Sequence, residues 1–273
     1  MRGKYESGGA SLSYHDTEVG RPIVFLHPTP LDHDYWRPVI EQLDSVRAIV
    51  PDLRGHGESE LGANLPAGAF GRVPDAPVLS IAQLASDILA LLEFCSIPKA
   101  DFVGCSIGGY VLLELWRRAP ERMRSLAFVC SKPQADAEAN LVKRAATIAQ
   151  ARAGEMEALF DGMAQTLIGA TARARRPEIV PELRARMTLS QNALVAVQAG
   201  LATRPDSVAT VGTIQVPVLA IAGGEDTSVT PAEMEAFRAA PVGCEYHLLK
   251  HAGHFAAYEQ PEKVAGLLSD WLR

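Results

Sequence analysis

Gly104-Cys105-Ser106-Ile107-Gly108 is the stretch of this 273-residue chain whose chemistry reads most directly. The serine lies between two glycines, after the apolar run Asp101-Phe102-Val103 and ahead of the apolar-rich segment Tyr110 to Trp116. That pattern fits a sharp strand-to-helix turn, whose flanks are too tight for side chains and so call for glycine. Such a turn lifts the hydroxyl out of the sheet at a helix N-terminus, where developing negative charge is favoured. The chemistry would be nucleophilic attack. It needs a base to take the hydroxyl proton and an acid to orient the base.

Both partners lie downstream. The run Val218 to Ala222 is followed by Gly223-Gly224-Glu225-Asp226, and Tyr246 to Leu249 is followed by His251-Ala252-Gly253-His254-Phe255. Asp226 is the leading acid, since it sits further into its loop and precedes the run that starts the next helix; Glu225 is the alternative. His254 is the leading base, with small residues before it and the helix entry Glu259-Gln260-Pro261-Glu262 after it. His251, nearer its strand and expected to pack against the body, is the alternative. An acid after Leu126 to Cys130 is disfavoured, because Ser131-Lys132-Pro133 offers no carboxylate before Asp136. Acyl transfer also needs two backbone N–H groups for the oxyanion. Ile107 supplies one. The second comes from His27-Pro28-Thr29-Pro30, where Thr29 is the donor because proline has no N–H.

These groups must be positioned by a sheet. Ile23 to Leu26, Ala48 to Val50, Asp101 to Val103, Leu126 to Cys130, Val218 to Ala222 and Tyr246 to Leu249 are short and mostly apolar, as expected of strands covered on both faces. Helical patterns alternate with them. Ser80-Ile81-Ala82-Gln83 reads as a capping box ahead of the stripe Ile81, Leu84, Ile88, Leu91 and Leu92. Val264, Leu267, Leu268 and Trp271 repeat the spacing near the C-terminus. The alternation indicates a doubly wound α/β sheet. The first twenty residues suggest an added antiparallel hairpin, and Leu61 to Pro77, rich in proline and glycine, a long surface loop. From Ser131 to Thr213 the strand signals stop. Ten Lys/Arg against eight Asp/Glu make this stretch slightly basic in a chain of net charge −6, and it reads as a helical insertion.

Apolar content of 48% supports a sizeable core. No basic tract points to nucleic acid or an anionic membrane, and no segment has the length of a membrane span or signal sequence. Cys95, Cys105, Cys130 and Cys244 are dispersed, without metal or disulfide spacing, so the expectation is a soluble cytoplasmic protein with reduced thiols and no metal or cofactor.

His27-x-x-Pro30, Asp52-Leu53-Arg54-Gly55-His56-Gly57-x-Ser59, Gly104-x-Ser106-x-Gly108-Gly109, Gly224-x-Asp226 and Ala252-Gly253-His254 together resemble the α/β-hydrolase superfamily, and more closely its bacterial esterase and lactonase members. The resemblance covers nearly the whole chain. It implies the α/β-hydrolase fold, a mostly parallel doubly wound sheet, with residues 1–130 and 214–273 as core domain and 131–213 as a helical cap over the site. It also implies that Asp52 to Ser59, His56 included, is a structural turn rather than a catalytic group. Pro28 departs from the glycine usual after the loop's first histidine, so the loop can sit differently.

The expected function is hydrolysis of carboxylic esters or lactones by Ser106, His254 and Asp226, with Thr29 and Ile107 as oxyanion donors. Perhydrolase, C–C bond hydrolase and hydroxynitrile lyase chemistries use the same triad, and a ligand receptor could retain it. Candidate pocket walls are Leu31, Trp36, Phe160, Met163 and Met187, each equally readable as core packing. The expected partner is a small ester or lactone; a homodimer is compatible with this reading but not specified by it.

Overall fold

A computed structural model describes residues 1–273. Its centre is an eight-stranded sheet built from β1 (Arg2–Ser7), β2 (Ala10–Asp16), β3 (Arg21–Leu26), β4 (Val46–Pro51), β7 (Ala100–Cys105), β8 (Met123–Val129), β9 (Val218–Gly223) and β10 (Cys244–Leu249), in the order β1-β2-β4-β3-β7-β8-β9-β10. A separate ribbon pairs β5 (Ala67–Phe70) with β6 (Val73–Pro77). From β4 to β10 every neighbouring pair in the large sheet is parallel. β1 and β2 add the antiparallel end, joined through Gly8 and Gly9, both with positive φ as a tight hairpin turn demands. Every residue of β7 and β9 is buried, which accounts for the continuous apolar run of β9 and the near-continuous one of β7, where only Asp101 is charged and is held by Arg21 and Ser125.

The helices flank this sheet. Ile81–Phe94 buries the whole expected stripe, Ile81, Leu84, Ile88, Leu91 and Leu92, and packs against helix Ile107–Arg118. Its cap is half of the expected box. The Ser80 hydroxyl accepts the Gln83 N–H, but the Gln83 side chain turns away to donate to Asp87 at 3.0 Å. Asp87 in turn holds Arg54 through two bonds of 2.8 and 2.7 Å, a buried pair that draws the Gln83 amide out of the cap.

The segment from Leu61 to Pro77 is not simply loop. Gly71, at φ +55°, turns the chain between Phe70 and Val73, and the resulting β5–β6 ribbon buries Val73 and Ala76. It packs on helices Glu138–Arg152 and Gln191–Ala202. Its proline and glycine content hides the strand pattern, and its stability comes from those distant helices.

No strand lies between β8 and β9. Six helices fill that interval, beginning at Glu138 and ending at Val211. They share one continuous hydrophobic cluster with the sheet, through Ile148, Phe160, Leu183 and Leu194 among others. Since β3, β7, β9 and β10 run parallel, the loops leaving their C-terminal ends gather along one edge of the sheet, where open α/β sheets place their sites.

Candidate active site

Ser106 follows β7 directly, at φ 52° and ψ −116°, a conformation rarely adopted by a non-glycine residue. The flanking glycines make it attainable. A Cβ on Gly104 would stand 2.6 Å from the Gly108 carbonyl carbon, and one on Gly108 would stand 2.4 Å from the Leu26 carbonyl oxygen at the end of β3. Ser131 braces the turn, its hydroxyl donating to the Ser106 carbonyl at 2.9 Å. Helix Ile107–Arg118 starts immediately afterwards, with the Gly109 and Tyr110 N–H groups donating to the Ser106 carbonyl at 2.9 and 3.3 Å.

Asp226 and His254 meet at the ends of β9 and β10. The Asp226 Oδ2 lies 2.7 Å from His254 Nδ1, and both side chains are buried. Asp226 Oδ1 accepts the backbone N–H groups of Ser228 at 2.8 Å and Val229 at 3.0 Å, so both oxygens are held. A carboxylate on Nδ1 keeps the proton on that nitrogen and leaves Nε2 as the basic one. Glu225 is directed elsewhere: its carboxylate accepts the Thr171 N–H at 2.8 Å and the Thr171 hydroxyl, tying the loop to helix Ala170–Arg175. His251 does not pack against the body as expected. Its side chain is 57% exposed, and its Nδ1 is 3.9 Å from Glu225.

The loop after β3 is anchored by two buried histidines. His27 Nε2 accepts the Leu53 N–H at 2.9 Å, and His56 Nε2 lies 3.0 Å from the Thr29 hydroxyl. Burial is the main cause that pushes His27 down to about 4 and His56 to about 3, so both rings are neutral. Neither has a free nitrogen: their Nδ1 atoms rest on the carbonyls of Pro28 and Arg54. The Asp52 to Ser59 segment is thus a brace for the Thr29 loop. Asp52 accepts the backbone N–H groups of His33 and Glu58, and Ser59 donates back to the Asp52 carbonyl at 2.7 Å.

Ser106, His254 and Thr29 open onto one cavity of about 420 Å³. Its remaining wall comes largely from the inserted helices. No hydrogen bond joins Ser106 Oγ to His254 Nε2 in this structure, as is common before substrate tightens such a site.

Residues 23–267 match the model of the alpha/beta hydrolase family. The chain belongs to the alpha/beta hydrolase family. It is 26% identical to 3-oxoadipate enol-lactonase 1 of Acinetobacter baylyi, over 96% of this chain and 92% of that protein. A thermophilic esterase from Thermogutta terrifontis, solved with malate bound, superposes with a TM-score of 0.88 at 28% identity, over 100% of this chain and 98% of that one. The enol-lactonase of Burkholderia xenovorans has the same fold, with a TM-score of 0.86 at 24% identity over 99% of each chain.

This alpha/beta hydrolase does not line its cavity as the apolar pattern suggested. Among the expected wall residues, Met163 alone faces the cavity. Leu31 and Trp36 are wholly buried in the core, where Trp36 packs on Phe25 and Tyr35. Met187 is buried in the same cluster, and Phe160 lies under the Arg184 guanidinium, 5.4 Å from its ring centre. An apolar residue on an amphipathic helix reads the same whether it meets a core or a ligand, which is why the sequence left both open.

Two features were missed. Asn140, Lys143, Arg144 and Thr147 present one face of helix Glu138–Arg152 to the cavity. Their i, i+3, i+4, i+7 spacing is visible in the sequence as a polar stripe, the inverse of the usual signal. Glu259, read as part of a helix entry, is a buried carboxylate that accepts the N–H groups of Gly253, Phe255 and Gly169. No helix of the chain is long and apolar enough to cross a membrane.

Proposed function

We propose that this enzyme hydrolyses carboxylic esters or lactones through an acyl-enzyme on Ser106. The Ser106 hydroxyl attacks the carbonyl carbon while His254 Nε2 takes its proton. Asp226 stabilises the imidazolium that forms, and the N–H groups of Ile107 and Thr29 hold the oxyanion. The C–O bond then breaks, with His254 returning the proton to the leaving alkoxide. In a lactone that oxygen stays attached to the acyl group. Water, activated by His254, cleaves the acyl-enzyme and restores the serine. The steps call for no cofactor.

The observation that carries this reading is the 2.7 Å contact of Asp226 with His254 beside a serine held at φ 52° in the same cavity. The names of the similar enol-lactonase and esterase support the substrate class. Four free cysteines fit a cytoplasmic setting, which we include in the reading together with a small-molecule substrate rather than a nucleic acid or membrane.

Labelling with a fluorophosphonate tests the nucleophile, followed by turnover of short-chain esters, long-chain esters and lactones. Wild type should label at Ser106, and Ser106→Ala should fold normally, fail to label and lose about 10³-fold or more in kcat. Near-wild-type turnover by Ser106→Ala would sink the mechanism.

A further inference from the structure

The cavity beside Ser106 is cationic on its cap side. Lys132, Lys143 and Arg144 all line it, and Arg204 stands behind them on Asp136. Four cations therefore face two carboxylates. Lys132 pairs with Glu233. Arg144 Nε meets Asp136 Oδ2 at 2.6 Å, and Arg204 meets the other oxygen of the same carboxylate at 2.6 Å. Gln198 accepts a further bond from Arg144 Nη1 at 2.8 Å, which fixes the guanidinium and leaves Nη2 without a partner. Lys143, one residue before it on the same helix face, forms no ion pair and is exposed at the cavity rim.

A cap helix over an apolar substrate would bury an apolar stripe on this face. Helix Glu138–Arg152 instead buries only Ile148 and Ala151 and turns Asn140, Lys143, Arg144 and Thr147 to the cavity. An excess of cations in an enclosed site favours an anion, and a guanidinium held in place with an open edge suits a planar carboxylate.

We propose that Lys143 and Arg144 form a subsite for a carboxylate carried by the substrate, so that the natural ligand is a compact ester or lactone with a free acid group away from the scissile carbonyl. This rests on Ser106 being the nucleophile, and the test separates the two claims.

Succinate, which has no bond to cleave, is the binding probe. Calorimetry on wild type, Ser106→Ala and Lys143→Glu should show succinate binding to the first two, weakened at least tenfold in the third. In parallel, kcat/KM is compared for a mono-aryl succinate and the aryl butyrate with the same leaving group. Wild type should favour the succinate ester about tenfold or more. Lys143→Glu should cut that ratio about tenfold, the size of one charge-assisted contact, and added salt should reduce it as well. Arg144→Met, with circular dichroism to establish folding, serves as a second variant with the same expected direction. A ratio near one, or a ratio and succinate affinity unmoved by Lys143→Glu, overturns the subsite while leaving Ser106 hydrolysis standing. Lys143-dependent succinate binding with no ester or lactone turnover upholds the subsite and removes the hydrolase reading.

Discussion

Glu259 Oε2 accepts the Gly253 N–H at 2.8 Å, immediately before His254 in the chain. The same oxygen accepts the Gly169 N–H from the inserted helices at 3.1 Å, and Oε1 accepts the Phe255 N–H at 3.2 Å. One carboxylate thus grips both neighbours of His254 and joins them to Gly169 in the inserted helices. Burial pushes its carboxyl up to about 7, against the three N–H bonds that pull it down.

Glu259→Ala leaves three backbone donors buried and unpaired. We expect a loss of about 3 kcal/mol or more by urea denaturation, and a fall in kcat for esters because the His254 loop loosens. Glu259→Gln can keep an oxygen toward Gly253 and Gly169 and should lose less on both counts. The sign with pH follows from the raised value: the protonated acid is the form the fold favours. Its contribution is full below the ordinary carboxyl value of 4.5 and is lost as pH rises through about 7, and Glu259→Gln should flatten that part of the stability profile.

The acid assignment is tested by a pair of isosteric changes. Asp226→Asn offers an NH2 or the wrong tautomer to His254 and should lower kcat about 10⁴-fold. Glu225→Gln should cost far less activity, since Glu225 bonds Thr171 and not His254. Its loss should appear as lower thermal stability. Reversed penalties would reassign the acid.

Gly108 and Leu26 join the turn at Ser106 to the loop that carries Thr29. An added Cβ would meet the Leu26 carbonyl oxygen at 2.4 Å, so Gly108→Ala must move either the helix start or the end of β3. We expect destabilisation of about 1–3 kcal/mol and a disproportionate drop in kcat, measured by denaturation and by ester hydrolysis on the folded fraction. Wild-type values for both would contradict the close approach.

Buried Asp52 pairs with partly buried His33, whose Nδ1 lies 2.7 Å from Asp52 Oδ1. Burial is the largest single effect and opposes charge on both; the hydrogen bond between them prevails only together with the surrounding charges and, for Asp52, the Glu58 N–H. Asp52 is held down to about 2, and His33 is raised above its ordinary 6.5. The lowered acid contributes stability above its ordinary 3.8, lost as pH falls toward 2; the raised histidine contributes below 6.5, lost as pH climbs through its raised value. Denaturation of wild type against His33→Gln should therefore show the largest gap between about pH 4 and 6.5. A gap that widens at pH 9 has the wrong sign.

The cavity of about 420 Å³ sits near the lower end of the roughly 300–1,000 Å³ typical of small-molecule sites. The helices between β8 and β9 that line it share the hydrophobic core of the sheet. Aryl esters of increasing acyl length should give a kcat/KM maximum at short chains, with no rate jump above the solubility limit. A long-chain maximum with such a jump would mark a lipase.

What the sequence determined by itself was local or ordinal. The turn at Ser106 is readable because only glycine tolerates the approaches made by Gly104 and Gly108, and backbone sterics leave a mark on residue type. The strands β7 and β9 are readable because burial on both faces favours near-continuous apolar runs, interrupted in β7 only by Asp101. The chain order Ser106, Asp226, His254 is readable because parallel strands deliver their following loops to one edge. Tertiary structure decided the rest. Glu225 and Asp226 are adjacent carboxylates, and their division between Thr171 and His254 depends on a helix some fifty residues earlier in the chain. Leu31, Trp36, Phe160 and Met187 went to the core rather than the cavity because which face of an apolar stripe meets a ligand is set by what packs against it. The cationic face of helix Glu138–Arg152 and the grip of Glu259 on the His254 loop arise from contacts between distant segments. Charge and burial acquire their meaning there from neighbours that no local pattern specifies.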